Sequence, residues 1–395
     1  MGASWMQCQL ENVRIPGCSG LQQVSIQEGA IHTIQSMDAS VLSSTQPRID
    51  LGGDWLSLGG IDLQINGALG LAFPDLSATD HSKLHDIRQF LWQQGVDGFL
   101  PTLVTTSVEK FQQALAVLST QTLQVERGQA QILGVHLEGP CLNAVKRGAH
   151  PQEYLQTLSI KNLQAVMGSY RDVVKVITLA PELEPSGEAV AWLRSHDITV
   201  SLGHSLATAT EADAAFNQGA TMVTHAFNAM PSLHHRQPGL LAAALMHPQV
   251  WCGFIADGQH VDPLMLKLIL KASPRQGLFL VSDALSPLGL PDGVYPWDSR
   301  QIQVTAGTAR LPDGTLSGTT LPLLNGVQNL IRWGLCSVGR AIALATEAPR
   351  QALGLSGLGP GQPAHGLLRW HHHAQTKTLT WQRLFPSDDV PSFEA

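Results

Sequence analysis

No stretch of this 395-residue chain is apolar for long enough to cross a bilayer: runs such as Leu240 to Met246 stop far short of the roughly 20 residues a spanning helix needs. The segment Met1 to Pro16 lacks the basic-then-apolar order of a targeting signal, and Met6 stands where a myristoylation signal wants Ser or Thr. No membrane association is therefore expected. Charge is also sparse. Only 14% of residues are charged, the net charge is −7, and no dense Lys/Arg run interrupts it. That leaves no basic field for nucleic acid, so any anion must be bound locally. Cysteine is scarce too: Cys8, Cys18, Cys141, Cys252 and Cys336 are far apart, odd in number and contain no C-x-x-C pair. Such a set argues against a disulfide framework or a thiolate metal site and fits a reducing, cytoplasmic setting.

What the chain does have is apolar bulk. At 44% hydrophobic it can bury a large core and should form one big domain with a smaller one attached. From about Trp55 to Pro360 one grammar repeats: a short β-branched run, a polar residue at its end, a Gly/Pro-bearing loop, then a helical stretch. The runs are Leu58 to Ile65, Gly98 to Val104, Ile132 to Leu137, Val173 to Leu179, Ile198 to Gly203, Thr221 to Thr224, Trp251 to Ala256 and Leu278 to Ser282. Helices are expected over Thr79 to Gln94, Ser107 to Leu118, Glu188 to Ser195, Thr210 to Gln218 and Pro263 to Ala272.

Apolar strands alternating with helices imply an α/β fold whose parallel sheet is covered on both faces, and eight of them fit a (β/α)8 TIM-type barrel. A doubly wound open sheet is the alternative. The barrel is preferred because Gln64 and Asn66, Thr105, Glu138, His204, His225, His260 and Asp283 follow strand after strand, and in a barrel those ends share one mouth. The flanks read as short strands, Gln22 to Gln27 and Ala30 to Ile34 before the barrel, Leu367 to Trp370 and Thr376 to Trp381 after it. They suggest a small β-sandwich built from both termini, giving domains 1–55, 56–360 and 361–395. His371-His372-His373 is expected in a solvated polar turn, and His81, His85 and His247 as structural or solvated residues.

The sharpest chemistry lies in Glu138, His204 and His225, each directly after an apolar run. One carboxylate and two imidazoles suit Zn²⁺ or Fe²⁺, and three protein ligands leave a position open, which is a catalytic pattern. Taken singly, each could instead be a loop cap or a satisfied strand-end histidine. Asp283, ending the eighth run, would face the same mouth as a general base and acid; its bland alternative is a helix cap or a partner for a histidine. The loop His225 to Pro231 with Arg236 beyond it offers Asn228 and Ala229 amides and a guanidinium for a phosphate. His260 and His150 stand where they could contact substrate oxygens.

These residues sit in motifs: Ile61-Asp62-Leu63-Gln64-Ile65-Asn66-Gly67, His136-Leu137-Glu138-Gly139-Pro140, Leu202-Gly203-His204-Ser205, Thr224-His225 with Asn228-Ala229-Met230-Pro231, Ile255-Ala256-Asp257-Gly258 with His260-Val261-Asp262, Ser282-Asp283-Ala284 and Gly318-Thr319-Thr320. Together, from about Gly59 to Gly326, they resemble the N-acetylglucosamine-6-phosphate deacetylases of the amidohydrolase superfamily. The resemblance implies a barrel with a split β-sandwich and hydrolytic release of acetate from an amino-sugar phosphate. It implies a metal held by Glu138, His204 and His225, with Asp283 as general base then acid. It further implies that His150 helps polarise the acetyl carbonyl, that Asn228, Ala229, Arg236 and His260 bind the sugar phosphate, and that the protein is a homodimer.

Where many amidohydrolases begin the barrel with His-x-His, this chain has Gln64 and Asn66, so one divalent ion per subunit is expected. Cys141 stands after Glu138-Gly139-Pro140 where a larger aromatic is expected, which places it in the substrate-pocket wall. Rival readings are the same chemistry on N-acetylgalactosamine 6-phosphate, a cyclic amidase or aminohydrolase, which would retain His-x-His, and a non-catalytic sugar-phosphate binder, against which the intact Glu138, His204, His225 and Asp283 speak.

Overall fold

The structure is a computed structural model describing residues 6–38, 46–122, 126–273 and 277–385. Its centre is a ring of parallel strands: β1 Gly60–Ile65, β2 Val96–Val104, β3 Val135–Glu138, β4 Val174–Leu179, β5 Thr199–Leu202, β6 Met222–Val223, β7 Trp251–Phe254 and β8 Leu278–Leu280. Beyond β8 the ring closes on β1, where Asp283 N–H donates to Gln64 O at 2.9 Å and Asn66 N–H donates to Ala284 O at 2.7 Å. The eight runs read from the sequence are these eight strands, and their closure makes the sheet a barrel. Burial on both faces explains their unbroken apolar character: every residue of β1 and β3 is buried. Leu100, Val176, Met222 and Phe279 pack with Ile61 and Leu63 of β1 into one cluster that fills the barrel interior.

Helices His81–Gln93, Val108–Gln121, Glu188–Arg194, Ala209–Asn217 and Pro263–Ala272 correspond to the expected ones. Their starts are chemically marked. Ser107 accepts from Lys110 N–H, Thr208 and Glu211 form a reciprocal capping box, and Asp262 caps a helix opening with Pro263. Among the described residues there are five further helices whose ranges the sequence pattern does not mark: Ile160–Met167, Gly239–Met246, Leu323–Arg332, Val338–Ala345 and Glu347–Ala352. Gly239–Met246 is apolar on all sides and so carries no helical stripe to read. Among the described residues no helix is long and apolar enough to cross a membrane.

A second departure lies after β8. Strands Gly293–Trp297, Arg300–Thr305, Thr308–Arg310 and Leu316–Thr319 form an antiparallel sheet inserted into what the sequence pattern presents as barrel. Its apolar face, including Trp297, Ile302, Val304 and Ala309, packs near Val104 and Ala149 at the barrel mouth. Alternating strands this short, broken by Gly and Pro, look like an ordinary loop in sequence.

The terminal segments make two sheets. One holds Cys8–Val13, Gln22–Gln27, Ala30–Ser36 and Arg48–Asp50; the other holds Trp55–Ser57, Leu368–His373 and Thr378–Arg383. Leu10, Val24, Ile26, Leu56, Leu367 and Phe385 share one apolar cluster. The histidine trio does not occupy a polar turn: it ends strand Leu368–His373, and His371 Nδ1 lies 2.7 Å from Asp54 Oδ1. Ladder pairing with Thr378–Arg383 and the Asp54 carboxylate outweigh the local polarity that suggests a turn.

Candidate active site

The strand ends deliver their side chains to a single cavity of about 570 Å³ at the C-terminal mouth of the barrel, a size suited to a small-molecule ligand. Glu138 ends β3, His204 lies two residues past β5, and His225 two past β6. His204 Nε2 and His225 Nε2 lie 3.2 and 3.1 Å from Glu138 Oε1 and 3.0 Å from each other. All three residues are buried, and among the described residues they form the one group of this kind able to hold a metal ion.

The tautomers show why this group fits a cation. His204 Nδ1 donates to the Lys146 carbonyl at 2.9 Å, so the neutral ring turns its Nε2 lone pair toward Glu138 and His225. Three electron-rich atoms then face one another in a dry site, an arrangement that a positive charge between them stabilises. Ligand atoms about 2.0–2.2 Å from a tetrahedral ion would themselves stand roughly 3.4 Å apart, close to the spacing observed. Burial works against the Glu138 carboxylate, yet N–H donation and positive charge from the two rings in their protonated form hold it ionised, well below the ordinary range, and a cation between the ligands takes the place of those protons. His225 Nδ1 is buried with no hydrogen-bond partner, so this ring, unlike His204, is held through Nε2 only. The set fits a single divalent metal.

Gln64 and Asn66 occupy the positions where a second metal's imidazoles would stand, and here they serve as donors. Gln64 Nε2 reaches both Glu138 Oε1 at 3.0 Å and Asp283 Oδ1 at 3.3 Å, while Asn66 Nδ2 donates to Asp283 Oδ1 at 2.8 Å. Asp283 is buried, and burial first, then the Glu138 charge, pushes its carboxyl up to about 7. A carboxyl that exchanges a proton near neutrality is what general acid–base work requires. His150 is buried beside it, Nε2 3.9 Å from Glu138 Oε2. Thr105 N–H donates to His150 Nδ1 at 3.2 Å, so the ring proton sits on Nε2. Burial, helped by His204, depresses this ring to about 3, which keeps it a neutral donor.

Beneath the metal ligands runs a polar chain that sequence reasoning missed. His136 Nδ1 donates to Leu63 O at 3.0 Å; its Nε2 accepts from the Thr178 hydroxyl at 2.7 Å, which lies 2.7 Å from the Thr224 hydroxyl, itself 2.6 Å from Ser201. It spans β3 to β6 and stiffens the floor from which Glu138 and His225 project. Five non-glycine residues in the mouth loops have positive φ: His204 (48°), His225 (26°), Phe227 (76°), Ala229 (51°) and Asp283 (47°). Each such conformation costs on the order of 1–3 kcal/mol and persists only where surrounding bonds hold it.

His150, Asn228, Ala229 and His260 line the cavity with the metal group and Asp283; Cys141 and Arg236 do not. The Cys141 side chain packs into the core between barrel and helices, its Sγ 3.6 Å from Thr157 O, and burial pushes the thiol up to about 12. Arg236 is exposed on the loop beyond Met230. His260 is seated by Asp257, whose Oδ2 lies 2.6 Å from its Nδ1. Wall residues not expected from the sequence include Thr106, Lys110, Trp297, Ser299 and Leu316. Gly318 carried a signal, through Gly318-Thr319-Thr320. With φ +143°, an added Cβ there would sit 2.6 Å from Asp283 O, so the returning strand of the inserted sheet passes Asp283 only as glycine.

No protein-family model matches the chain. It is similar to the N-acetylglucosamine-6-phosphate deacetylase of Bos taurus, 38% identical over 314 residues that cover 78% of this chain and 76% of that one. It is also similar to the N-acetylgalactosamine-6-phosphate deacetylase of Escherichia coli O157:H7, 32% identical over 87% of this chain and 89% of the relative. Among solved structures, a mutant N-acetyl-D-glucosamine-6-phosphate deacetylase from Mycobacterium smegmatis in complex with N-acetyl-D-glucosamine-6-phosphate matches with a TM-score of 0.83 at 25% identity, covering 96% of this chain and 98% of that one. With a single-metal ligand set, a buried carboxyl poised for proton transfer and relatives of this identity and coverage, the chain belongs to the N-acetylglucosamine-6-phosphate deacetylases of the amidohydrolase superfamily.

Proposed function

We propose that this enzyme hydrolyses N-acetylglucosamine 6-phosphate to glucosamine 6-phosphate and acetate. The observation that carries the reading is the convergence of Glu138, His204 and His225 with Asp283 and His150 in one buried cavity. Glu138, His204 and His225 would hold one Zn²⁺ or Fe²⁺, which when bound supplies Lewis acidity that acidifies water and polarises a carbonyl. Asp283, oriented by Gln64 and Asn66, takes the proton of the attacking water and returns it to the departing nitrogen. His150 donates its Nε2–H to the acetyl oxygen as negative charge gathers there, and its neutrality spares the site a competing cation. Asn228, the Ala229 backbone and His260 receive the phosphate, with Arg236 adding positive charge on the approach loop.

The test is acetate release from N-acetylglucosamine 6-phosphate, before and after chelation and with Zn²⁺ or Fe²⁺ restored. Turnover that vanishes on chelation and returns with metal supports the reading; metal binding without acetate release removes it. The Escherichia coli relative's name motivates running N-acetylgalactosamine 6-phosphate alongside, and a higher kcat/KM on that sugar would reassign the substrate. We also propose the domain division 1–55, 56–360 and 361–395, supported by the cluster shared between the terminal segments. A cytoplasmic, homodimeric enzyme completes the proposal. The free thiols favour the first, and light scattering at working concentration tests the second.

A further inference from the structure

The strained loops around the metal ligands must be held by something, and the bonds that hold the β5 loop converge on one carboxylate outside the cavity lining. Glu182 follows β4. Its Oε1 accepts from Leu206 N–H at 2.6 Å and from Asn143 Nδ2 at 2.9 Å, and its Oε2 accepts from Ser205 Oγ at 2.6 Å. Each partner leads to the site. Ser205 and Leu206 directly follow His204, whose φ is +48°. Asn143, in the loop after β3, donates its N–H to His204 O at 2.9 Å. In that same loop the Lys146 carbonyl receives His204 Nδ1 at 2.9 Å, and Lys146 Nζ reaches Met230 O at 3.2 Å. Ser205 N–H donates to Ala229 O at 3.1 Å, which carries the connection to the loop holding Asn228 and Ala229. Three loops, after β3, β4 and β5, thus meet at a single side chain, and the loop after β6 joins them through Ser205 N–H and Lys146 Nζ. Ser205 Oγ donates to Glu182 and accepts from Ala207 N–H at 2.9 Å, so removing the Glu182 carboxylate leaves the Ser205 hydroxyl, Leu206 N–H and Asn143 Nδ2 short of an acceptor.

We infer that Glu182 is a positioning residue for the metal centre: by bonding Ser205, Leu206 and Asn143 it holds His204 in the left-handed conformation that points Nε2 at Glu138 and His225. This rests on the reading of Glu138, His204 and His225 as the metal ligands. Residues that orient metal ligands without touching the ion commonly govern affinity for it. Glu182→Ala therefore weakens Zn²⁺ or Co²⁺ binding by about tenfold or more, and Glu182→Gln, which keeps one acceptor for Leu206 N–H, weakens it less.

The experiment is competition of wild type, Glu182→Gln and Glu182→Ala with a chromophoric chelator for Zn²⁺, alongside the Co²⁺ absorption spectrum of each and the thermal unfolding of each metal-free protein. The expected result is graded: affinity falls from wild type to Gln to Ala, the Co²⁺ spectrum changes, and excess metal restores turnover. Should Glu182→Ala fail to fold, the Gln variant and Ser205→Ala carry the same comparison. Unchanged affinity and spectrum in variants whose metal-free unfolding temperature has dropped would overturn the inference and leave Glu182 as scaffold alone. A wild type that binds no metal would bring down the ligand assignment, and this inference with it.

Discussion

The two ends of the barrel both bury charge, and they resolve it in opposite ways. At the base, Asp97 near the start of β2 is bracketed by Arg350 at 3.0 Å and Arg383 at 2.7 Å and accepts Gly59 N–H at 2.7 Å. The two guanidiniums spend their other donors on carbonyls: Arg350 on Gly59 and Thr346, Arg383 on Gly366, Trp92 and Val96. Arg383 also lies 3.5 Å over the Trp92 ring. Protein groups satisfy this cluster except for Arg383 Nε, which is buried without a hydrogen-bond partner, and the cluster fastens the C-terminal strand to the barrel. At the mouth, Glu138 faces two imidazole lone pairs, His225 Nδ1 has no partner, and Asp283 is driven toward its neutral form. Charge left for an ion marks the end that works; charge the chain itself satisfies marks the end that holds.

If that contrast is right, a change at the mouth should remove activity and spare the fold, and a change at the base should do the reverse. The largest effect is expected from Asp283→Asn, which keeps the shape and the acceptor for Asn66 but not the proton transfer: turnover falls by about a thousandfold or more with metal affinity retained. Acetate release near the wild-type rate would end the general-base assignment. In the wild type the working form is the carboxylate, so kcat falls as pH drops through the Asp283 pKa. A bound cation can only lower that pKa from about 7, and the acid limb should have its midpoint at or below that value.

At the base, Asp97→Ala strands two buried guanidiniums and should destabilise by about 3–5 kcal/mol in denaturant unfolding, with Zn²⁺ affinity unmoved. Loss of metal binding there would show that the two ends are coupled.

Asp62 sharpens the comparison, because it is a buried carboxyl in β1 with no counter-cation. Burial raises it from 3.8 to about 7, against hydrogen bonds from Ser282 and Gln64. Folding therefore takes up a proton between those values, and stability falls as pH rises from about 4 to about 7 and stays lowered above. Asp62→Asn keeps an acceptor for Ser282 N–H and removes the titration, so it should gain stability at pH 8, with about 4 kcal/mol as the order of magnitude. Identical pH–stability curves for the two proteins would refute the shift. The smallest effect is expected from Lys110→Ala, since its pair with Asp75 on the cavity rim has both side chains half exposed; unfolding should move by less than about 1 kcal/mol.

Much of this was legible before any coordinates. The strands could be read because each is buried on both faces, so its apolar run is unbroken, and the polar residue that ends each run is the site itself. Gln64, Asn66, Glu138, His204, His225 and Asp283 were all singled out by that position. Arg236 and Cys141 failed as cavity residues for different reasons. One lies in an exposed loop whose path no local pattern sets, and the other has its side chain packed into the core. Glu182, Thr178 and Ser201 gave no signal, and His136 and Thr224 stood in motifs with no role assigned to them, since hydrogen-bonding side chains this far apart in sequence are indistinguishable from ordinary polar residues.

Strand count, the alternation with helices and the ligand types follow from composition and local pattern, because periodicity and donor chemistry act over a few residues, while the expectation of one metal follows from the family resemblance. Tertiary structure alone decided that the Gly293–Thr319 sheet walls the mouth, that Glu182 gathers three loops, and that Asp97 fastens the C-terminal strand to the base. These depend on closing loops of tens to hundreds of residues, and whether such contacts form is settled by the packing of the whole chain.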